Sequence, residues 1–285
     1  MIYLEHFSFP SKDDEFEFFN NIRRQCYTNF YPFQVLTDHE RLNLDFENVT
    51  ILYGSNGSGK STALNVIAEK LNLKRDANYN KSNFYDDYLK QCTYRLEYNL
   101  PEDGRIITSD DVFEYALSVR DLNDGIDQKR DMIFEEYLEA KHASFQMKSL
   151  EDYDRLKQIN DSRRLTQSRY TKEHLINNIR THSNGENAFK FFTQKIGAGG
   201  LYLLDEPENS LAPKLQLELK KFIEESARYF NCQIIMVTHS PFLLSIEGAK
   251  IYNFDQKPAT IETWTDLDNV KTYFDFFSNR SHEFN

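Results

Sequence analysis

The stretch G-S-N-G-S-G-K-S-T, from Gly54 to Thr62, decides the fold of this chain. It fits the phosphate-binding pattern in which a glycine is followed, after four intervening residues, by glycine, lysine and serine or threonine. The apolar run Val49–Tyr53 before it predicts a strand, and apolar residues at helical spacing after it predict a helix. Backbone N–H groups and the positive end of that helix would then face the phosphates of a nucleotide. The residues expected to contact the nucleotide are Ser55, Asn56, Gly57, Ser58, Gly59, Lys60, Ser61 and Thr62.

The composition is that of a globular chain that can bury a full core. Of its 285 residues, 40% are hydrophobic and 14% are aromatic. No run approaches the roughly 18 apolar residues of a membrane-spanning helix, so direct membrane insertion is not expected. The first ten residues do not resemble a secretory signal, and three scattered cysteines suit a reducing compartment, so we expect a cytoplasmic protein. The net charge of −11 argues against a generally basic nucleic-acid-binding surface.

A second apolar run, Leu201–Leu204, ends in two carboxylates. Four consecutive apolar residues predict a buried parallel strand with Asp205 and Glu206 at its carboxyl end, the edge where ligands bind in open α/β sheets. Asp205, together with Ser61, would hold Mg²⁺, and Glu206 would polarise the attacking water. Taken alone, such a pair is also typical of a strand that simply ends in an acidic turn.

A third buried strand is predicted over 234–237, and His239 follows it closely. The segment 213–230 between the carboxylates and this strand has the spacing of one amphipathic helix, with Pro213 at an early helical position. Its apolar face is expected to contain Leu215, Leu219, Phe222, Ile223 and Phe230. A lone histidine after a strand is more often structural. Beside a phosphate loop, His239 is expected to hydrogen-bond the γ-phosphate and to respond to its loss.

The tetrapeptide S-N-G-E lies shortly before the acidic strand and opens a helical run. With the phosphate loop, the acidic strand and His239, this order of motifs resembles the ABC-type ATPases. The glutamate resembles the SMC-like and RecF-like branch, whereas transport ATPases more often carry Gly-Gln there. The resemblance implies an α/β P-loop fold of the ABC ATPase type that uses ATP and Mg²⁺. It also implies an ATP-dependent homodimer in which this turn completes the nucleotide site of the opposite protomer. The turn consists of Ser183, Asn184, Gly185 and Glu186.

We interpret residues 1–285 as a single ABC-type ATPase domain with a helical lobe inserted over 110–182. The lobe is charged and too short for a long antiparallel coiled coil. It contains a locally basic stretch, which either contacts nucleic acid or a partner's acidic face, or is a solvated helix face. The stretch is formed by Arg155, Lys157, Arg163, Arg164, Arg169 and Lys172.

Two features of the family have no unique counterpart in the sequence. The family glutamine that follows a later strand would fall after 105–108, where Asp110 and Asp111 either replace it near Mg²⁺ or cap a helix. The aromatic residue that stacks on adenine would come from an upstream cluster that is equally typical of a core. This cluster consists of Tyr27, Phe30, Tyr31 and Phe33.

The sequence leaves more than one class of cellular function. The first is an ATPase switch in nucleic-acid metabolism or phage defence that works with an effector such as a nuclease or toxin. The S-N-G-E turn and the inserted lobe favour it. The alternative is the ATPase subunit of a membrane ABC transporter, which the compact length fits. A nucleotide-dependent interaction module with slow turnover is a third interpretation.

Overall fold

The structure is a computed structural model of the chain, and it describes residues 1–22, 26–143, 153–174, 184–209 and 211–284. The chain divides into two compact units. One comprises Met1–Phe113 with Asn184–Asn285, and it contains both sheets. The other comprises Glu114–Ser183, and its described part is helical. The domain boundaries expected from the sequence, a single domain with a lobe over 110–182, remain a prediction.

Nine strands and ten α-helices are present among the described residues. The strands are β1 (Leu4–Ser8), β2 (Asn43–Asp45), β3 (Val49–Tyr53), β4 (Thr93–Leu96), β5 (Arg105–Ile107), β6 (Leu201–Asp205), β7 (Gln233–Val237), β8 (Lys250–Asn253) and β9 (Thr260–Glu262). The α-helices are α1 (Lys12–Asn21), α2 (Lys60–Lys70), α3 (Tyr85–Gln91), α4 (Ser109–His142), α5 (Tyr153–Arg164), α6 (Gln167–His174), α7 (Asn184–Lys195), α8 (Pro213–Tyr229), α9 (Pro241–Leu244) and α10 (Asp268–Asn279).

Six strands of the first unit form one sheet in the order β5-β6-β7-β3-β8-β9. Neighbouring strands are parallel, except that β8 and β9 are antiparallel. Both β3 and β7 are buried along their whole length, and so are the four leucine and tyrosine residues that begin β6. Strands buried on both faces have continuous apolar sequences, which is why the three apolar runs predicted these strands correctly. The predicted α/β class is confirmed.

The carboxyl ends of the parallel strands bring distant residues to one edge of this sheet. β3 ends at Tyr53 and leads into the phosphate loop, and β6 ends at Asp205. In the register of the sheet, Asp205 pairs with Val237, the last residue of β7, so these strands end level with each other. His239 follows β7 and Asp255 follows β8 after one intervening residue each. Strand order alone therefore gathers the phosphate loop, Asp205 and His239 at one edge of the sheet.

A smaller antiparallel sheet, in the order β2-β1-β4, is joined to the central sheet by Gln233. This side chain is fully buried at the first position of β7. Its Oε1 accepts hydrogen bonds from Tyr3 N and Leu4 N, each at 2.8 Å, and its Nε2 donates to Leu4 O at 2.8 Å. One amide thus satisfies three backbone groups at the start of β1, which would otherwise be buried without partners.

The helix predicted over 213–230 is present as α8, with one difference on its apolar face. Pro213 lies in the first turn, as predicted. Phe230, predicted on the buried face, follows the helix with φ −113° and is 54% exposed, because helical spacing no longer places it once the helix has ended. The fully or nearly buried residues of α8 are Leu219, Ile223, Ser226 and Ala227.

The second unit has a small apolar centre of its own. This cluster consists of Ile133, Tyr137, Leu165 and Tyr170. Tyr137 Oη donates to Leu165 O at 3.2 Å, which ties α4 to the turn between α5 and α6. The basic stretch lies on α5 and α6, where Arg155, Lys157, Arg163, Arg164 and Arg169 are exposed and the side chain of Lys172 falls outside the described part. Among the described residues, no helix is long and apolar enough to cross a membrane.

Candidate functional site

The phosphate loop joins β3 to α2 through three glycines with positive φ. Gly54, Gly57 and Gly59 have φ values of +154°, +85° and +94°. A Cβ atom at position 59 would lie 2.5 Å from Leu36 Cδ2, so glycine is required there for space as well as for conformation. α2 begins at Lys60, directly after this glycine, and its N-terminal N–H groups open toward the loop.

A cavity of about 370 Å³ lies between the loop and the end of β6. Its lining is formed by Val35, Asn56, Gly57, Gly59, Lys60, Ser61, Thr62 and Glu206. The structure therefore brings most of the predicted nucleotide-contacting residues together with the predicted catalytic carboxylate. Ser55 and Ser58 do not line this cavity: Ser55 Oγ donates to Asp255 Oδ1 at 2.6 Å, and Ser58 Oγ lies 3.4 Å from Lys60 Nζ.

Charged and hydroxyl side chains meet at the first turn of α2. Lys60 Nζ donates to Ser55 O at 2.8 Å, and Ser61 Oγ donates to Asp205 Oδ1 at 2.9 Å. Burial lowers the pKa of the Lys60 ammonium, and nearby carboxylates, Glu206 first among them, act to raise it. Burial raises the pKa of the Asp205 carboxyl to about 6, while the hydrogen bond from Ser61 acts to lower it. Burial thus disfavours the charged forms of both Lys60 and Asp205, and a nearby ion of opposite charge stabilises each charged form.

Glu206 occupies a backbone conformation that is uncommon outside glycine. Its φ is +48°, and this conformation directs the chain away from β6 immediately after Asp205. Glu206 Oε2 accepts from Asn209 Nδ2 at 2.9 Å, and Oε1 lies 3.9 Å from His239 Nε2. Strained backbone of this kind is found preferentially at functional sites.

His239 presents an unused ring nitrogen to this carboxylate. Its Nε2 is buried, and no hydrogen-bond partner for it exists within the described residues. Its backbone is held on two sides: Glu208 Oε1 accepts from His239 N at 2.6 Å, and Asn269 Nδ2 donates to His239 O at 2.6 Å. Burial raises the pKa of Glu208, and the hydrogen bond from His239 N acts to lower it. A held imidazole with a free nitrogen is suited to bind a ligand.

These residues fit a nucleotide with Mg²⁺. Ser61, which lines the cavity, and Asp205 offer two hard oxygen ligands 2.9 Å apart. Mg²⁺ in nucleotide sites takes one or two protein oxygens and completes its shell with phosphates and water. The described residues contain no group of three or more His, Cys, Asp or Glu side chains that could hold a metal alone. A metal at this position would therefore be held jointly by the protein and by the phosphates of a nucleotide.

The described residues of the S-N-G-E turn, 184–186, do not line the phosphate-loop cavity. Ser183 lies outside the described residues. Asn184 begins α7, Gly185 is buried and Glu186 is exposed in its first turn. The turn and the loop therefore do not form one continuous pocket within the part of the single chain that the structure describes.

A family model described as ABC transporter matches residues 38–209. The chain belongs to the ABC transporter family of ATPases. It is an ATP-hydrolysing P-loop enzyme, and the predicted resemblance is confirmed. A second model, described as AAA ATPase domain, matches residues 184–244. No curated protein matches the sequence.

Solved structures that resemble this chain include an Smc head domain, an ABC transporter cassette and an ABC transporter. An Smc head domain bound to the C-terminal domain of ScpA, from Pyrococcus furiosus, is 13% identical over 98% of this chain and 100% of that chain, with a TM-score of 0.44. A dimeric bacterial ABC transporter cassette is 14% identical over 94% of this chain and 100% of that one, with a TM-score of 0.40. A metal-chelate type ABC transporter in an inward-facing conformation is 17% identical over 82% and 80%, with a TM-score of 0.38.

The geometry of this ABC-type ATPase favours one of the two interpretations of its acidic pair after β5. Asp111 Oδ2 accepts from Thr108 N at 2.6 Å, Asp111 N donates to Thr108 Oγ1 at 3.4 Å, and Asp111 Oδ1 accepts from Ala77 N at 2.6 Å. This is a reciprocal helix cap at the start of α4. Asp110 is exposed, and neither carboxylate lines the phosphate-loop cavity.

The upstream aromatic cluster divides between core and site. Phe33 is 3% exposed, and Phe30 stacks on Phe84 with ring centroids 4.9 Å apart, so both belong to the core. Tyr31 Oη, in contrast, donates to Thr62 Oγ1 at 3.2 Å at the end of the phosphate loop. Tyr31 is therefore the member of the cluster that lies next to the nucleotide-binding residues.

Residues at the site that were not predicted from the sequence include Val35, Asn269 and Asp255. Val35 lines the cavity from a loop without periodic pattern. Asn269 and Asp255 contact the site from the C-terminal part of the chain. Asp255 follows β8, whose sequence K-I-Y-N is only partly apolar, so the apolar run that located Asp205 has no equal counterpart before Asp255.

Proposed function

We propose that this chain is a Mg²⁺-dependent ATPase in which ATP binding drives pairing of two copies and hydrolysis releases them. One observation carries the chemistry: Ser61, which lines the phosphate-loop cavity together with Glu206, donates a hydrogen bond to Asp205 Oδ1 at 2.9 Å. Phosphoryl transfer to water depends on positioning and charge stabilisation more than on covalent chemistry. This arrangement supplies both.

Each residue has a distinct part in the proposed reaction. Lys60 and the loop N–H groups bind the β- and γ-phosphates, and Ser61 and Asp205 would hold Mg²⁺, which neutralises phosphate charge when bound. Glu206 Oε1 orients a water molecule and accepts its proton. His239 Nε2 donates a hydrogen bond to a γ-phosphate oxygen. Asn209 keeps the Glu206 carboxylate in place through its hydrogen bond to Oε2.

Glu206→Gln tests the proposed chemistry. The variant should bind ATP normally but lose hydrolysis by about 10²–10⁴-fold, because the amide keeps the shape and loses the proton-accepting oxygen. Lys60→Ala should instead weaken ATP binding itself. Glu225→Gln, on the exposed face of α8, is the matched control and should behave as wild type. Steady-state hydrolysis of Glu206→Gln within threefold of wild type would contradict the role of Glu206.

The pairing of two copies is supported by the position of 184–186, none of which lines the phosphate-loop cavity of the same chain. In the family that the motifs resemble, the S-N-G-E turn and the phosphate loop meet only across a dimer. A γ-phosphate between them would accept charge-assisted hydrogen bonds from both copies, which hydrolysis would remove. An isologous two-fold pair is the simplest arrangement.

Light scattering across protein concentrations tests the pairing. Glu206→Gln with ATP should give the largest dimer fraction, and Ser183→Arg in that background should abolish it by placing bulk and charge against the opposite nucleotide. Ser118→Arg, on exposed α4, is the control. A Glu206→Gln protein that binds ATP and stays monomeric would refute self-pairing.

An effector protein is supported by an exposed aromatic surface next to the catalytic edge. We define this surface by Trp264, Tyr273, Phe274 and Phe277, which are 40%, 47%, 70% and 52% exposed. They line a groove of about 1170 Å³ whose wall also includes Glu206 and His239. Large exposed apolar patches mark protein interaction sites, and aromatic residues are enriched there. An effector in this groove would contact both the switch histidine and the hydrolytic carboxylate.

Co-expression with the products of neighbouring genes tests the effector. Phe274→Ser should abolish a complex with a neighbouring nuclease or toxin in co-elution from a sizing column, while ATP binding persists. Phe16→Ser, 67% exposed on α1, is the control. If the complex survives Phe274→Ser combined with Phe277→Ser, the effector does not bind at this aromatic surface.

A role in nucleic-acid metabolism or phage defence is supported by the exposed basic residues of α5 and α6. If they bind phosphate backbones, double-stranded DNA should bind with an affinity that falls steeply with salt. Arg163→Glu with Arg164→Glu should remove that binding and leave basal ATP hydrolysis unchanged. DNA binding that is equal in this variant and in wild type would favour the solvated-face interpretation.

A second candidate is the ATPase subunit of a membrane transporter, which the match to the ABC transporter family model over 38–209 favours. A transporter subunit would co-purify with a membrane-spanning partner from its own gene neighbourhood. An effector complex that forms in the absence of membranes would instead favour the switch.

A further inference from the structure

Asp255 makes an unusually complete contact with the phosphate loop. Ser55 N donates to Asp255 Oδ1 at 2.7 Å and lies 2.9 Å from Oδ2, and Ser55 Oγ donates to Oδ1 at 2.6 Å. These residues are 200 positions apart in the sequence. Asp255 is itself held, because its N–H donates to Asn253 Oδ1 at 3.0 Å at the end of β8. The loop is therefore tied to β8 by a carboxylate with charge-assisted hydrogen bonds.

The same serine contacts the phosphate-binding lysine through its carbonyl group. Ser55 O accepts from Lys60 Nζ at 2.8 Å. Ser55 thus stands between an anion on one side, Asp255, and a cation on the other, Lys60. A shift of Ser55 would move the lysine ammonium, so Asp255 acts on Lys60 through Ser55.

Packing at the start of the loop is tight enough to require this contact geometry. Gly54 has φ +154°, and a Cβ there would lie 3.1 Å from Phe254 Cβ and 3.3 Å from Asp255 Oδ1. Phe254 N donates to Tyr53 O at 2.7 Å, which continues the pairing of β3 and β8 up to the loop. The backbone of the loop is held against β8 at its first residue by both packing and hydrogen bonds.

We propose that Asp255 is a positioning residue that holds the start of the phosphate loop so that the loop N–H groups and Lys60 face the phosphates. The proposal rests on the proposed binding of ATP at this loop. The direction in which ATP affinity changes when Asp255 is removed distinguishes a tether from a purely electrostatic effect. A carboxylate near a polyphosphate repels it through space, so removing Asp255 for electrostatic reasons alone would tighten ATP binding. Removing a tether would weaken it, because the loop would have to be ordered during binding.

Asp255→Ala tests the proposal by equilibrium binding of ATP with Mg²⁺. The dissociation constant should rise about tenfold, since charge-assisted hydrogen bonds are lost at an exposed position, while kcat at saturating ATP changes less than twofold. Asp255→Asn should recover most of the affinity, because its side-chain oxygen still accepts from Ser55 N. Asp103→Ala, an exposed aspartate paired with Lys74, is the control. Unchanged or tighter ATP binding by Asp255→Ala would overturn the proposal.

A second measurement needs no nucleotide and so separates this proposal from the proposed function. Hydrogen–deuterium exchange of the peptide covering 54–62 in the nucleotide-free protein should be faster in Asp255→Ala than in wild type and unchanged in Asp103→Ala. Equal exchange in Asp255→Ala and wild type overturns the tether even if ATP binding is normal. If exchange differs between Asp255→Ala and wild type as expected but wild type binds no ATP, the tether stands and the proposed function is refuted.

A double-mutant cycle with Ser55→Ala keeps the test sharp if Asp255→Ala folds poorly. Ser55→Ala removes one of the hydrogen bonds to Asp255 and leaves an exposed loop surface. Asp255→Asn should then weaken ATP binding by a smaller factor in the Ser55→Ala background than in wild type. Independent, multiplicative effects of the two substitutions would overturn the contribution of the Ser55 hydroxyl to the tether, because the Ser55 N–H is present in both backgrounds.

Discussion

Substituting alanine at two glycines of the phosphate loop separates backbone strain from steric overlap. Gly57 and Gly59 both have positive φ, +85° and +94°. A Cβ at 57 would meet no atom within 4 Å, whereas a Cβ at 59 would lie 2.5 Å from Leu36 Cδ2 and 3.4 Å from Val35 Cγ1. Alanine at either position therefore incurs the backbone strain of positive φ, but only alanine at 59 also incurs steric overlap.

The expected magnitudes follow from this difference. An L-residue at positive φ costs about 1–2 kcal/mol, so Gly57→Ala should lower the free energy of unfolding by about that amount. At 59, overlap with a side chain that is only 1% exposed adds about 1–3 kcal/mol, because Leu36 cannot swing into solvent. Gly59→Ala should therefore cost about 2–5 kcal/mol. The entropy that alanine removes from the unfolded chain is common to both and cancels in the comparison.

Urea unfolding of the nucleotide-free protein measures both variants, with equal m-values as the condition for comparing them. Leu36→Ala combined with Gly59→Ala gives a further check, since removing Cδ2 makes room for the new methyl group. The double variant should then be destabilised by less than the sum of the destabilisations of the two single variants. Gly59→Ala that is no more destabilising than Gly57→Ala, or strict additivity with Leu36→Ala, would refute the steric reasoning.

Three other predictions follow from buried contacts. Burial raises the pKa of Glu15 to about 7 in the folded chain, so folding takes up a proton between about pH 5 and 7. The free energy of unfolding should therefore fall by about 1–2 kcal/mol as the pH rises over that range, after allowance for solvent screening. Thermal unfolding of Glu15→Gln and wild type across pH should show this drop only in wild type. Gln233→Leu should lower the free energy of unfolding in urea by about 2–4 kcal/mol, because buried N–H groups at the start of β1 lose their acceptor. A change under about 0.5 kcal/mol, which is the scatter of surface substitutions, would contradict this. Asn269→Ala should reduce kcat several-fold with little change in ATP affinity, because it frees the backbone of His239; equal losses in both quantities would point to a general structural effect.

The predictable part of this fold is the part in which local pattern and tertiary environment agree. The run before Gly54 and the run before Asp205 are continuous and apolar because both strands are buried in a parallel sheet. Each is followed at once by the residues that carry its chemistry, so the sequence places Ser61, Asp205 and Glu206 correctly relative to their own strands. The parallel order of strands then places them beside one another.

The helix cap at Asp111 shows where a local signal was available but ambiguous. The sequence T-S-D-D, ending at Asp111, fits a capping box as well as an acidic pair at a strand end. What decides between them is a third hydrogen bond, from Ala77 N, that no spacing rule contains. Phe230 illustrates the opposite error, in which a helical pattern was extended one residue beyond the end of α8.

The residues that hold the site in place could not be derived from spacing because their partners are distant in the sequence. Asp255 and Asn269 act on groups 200 and 30 residues away, through hydrogen bonds to backbone atoms that every residue possesses. A backbone partner leaves no mark in the sequence of the segment that is held. Only the side chain that does the holding is visible, and a lone aspartate or asparagine after a strand has many other uses. Motifs therefore reveal the residues that would touch the nucleotide, whereas the residues that position them emerge only when the strand order has brought β8 beside β3.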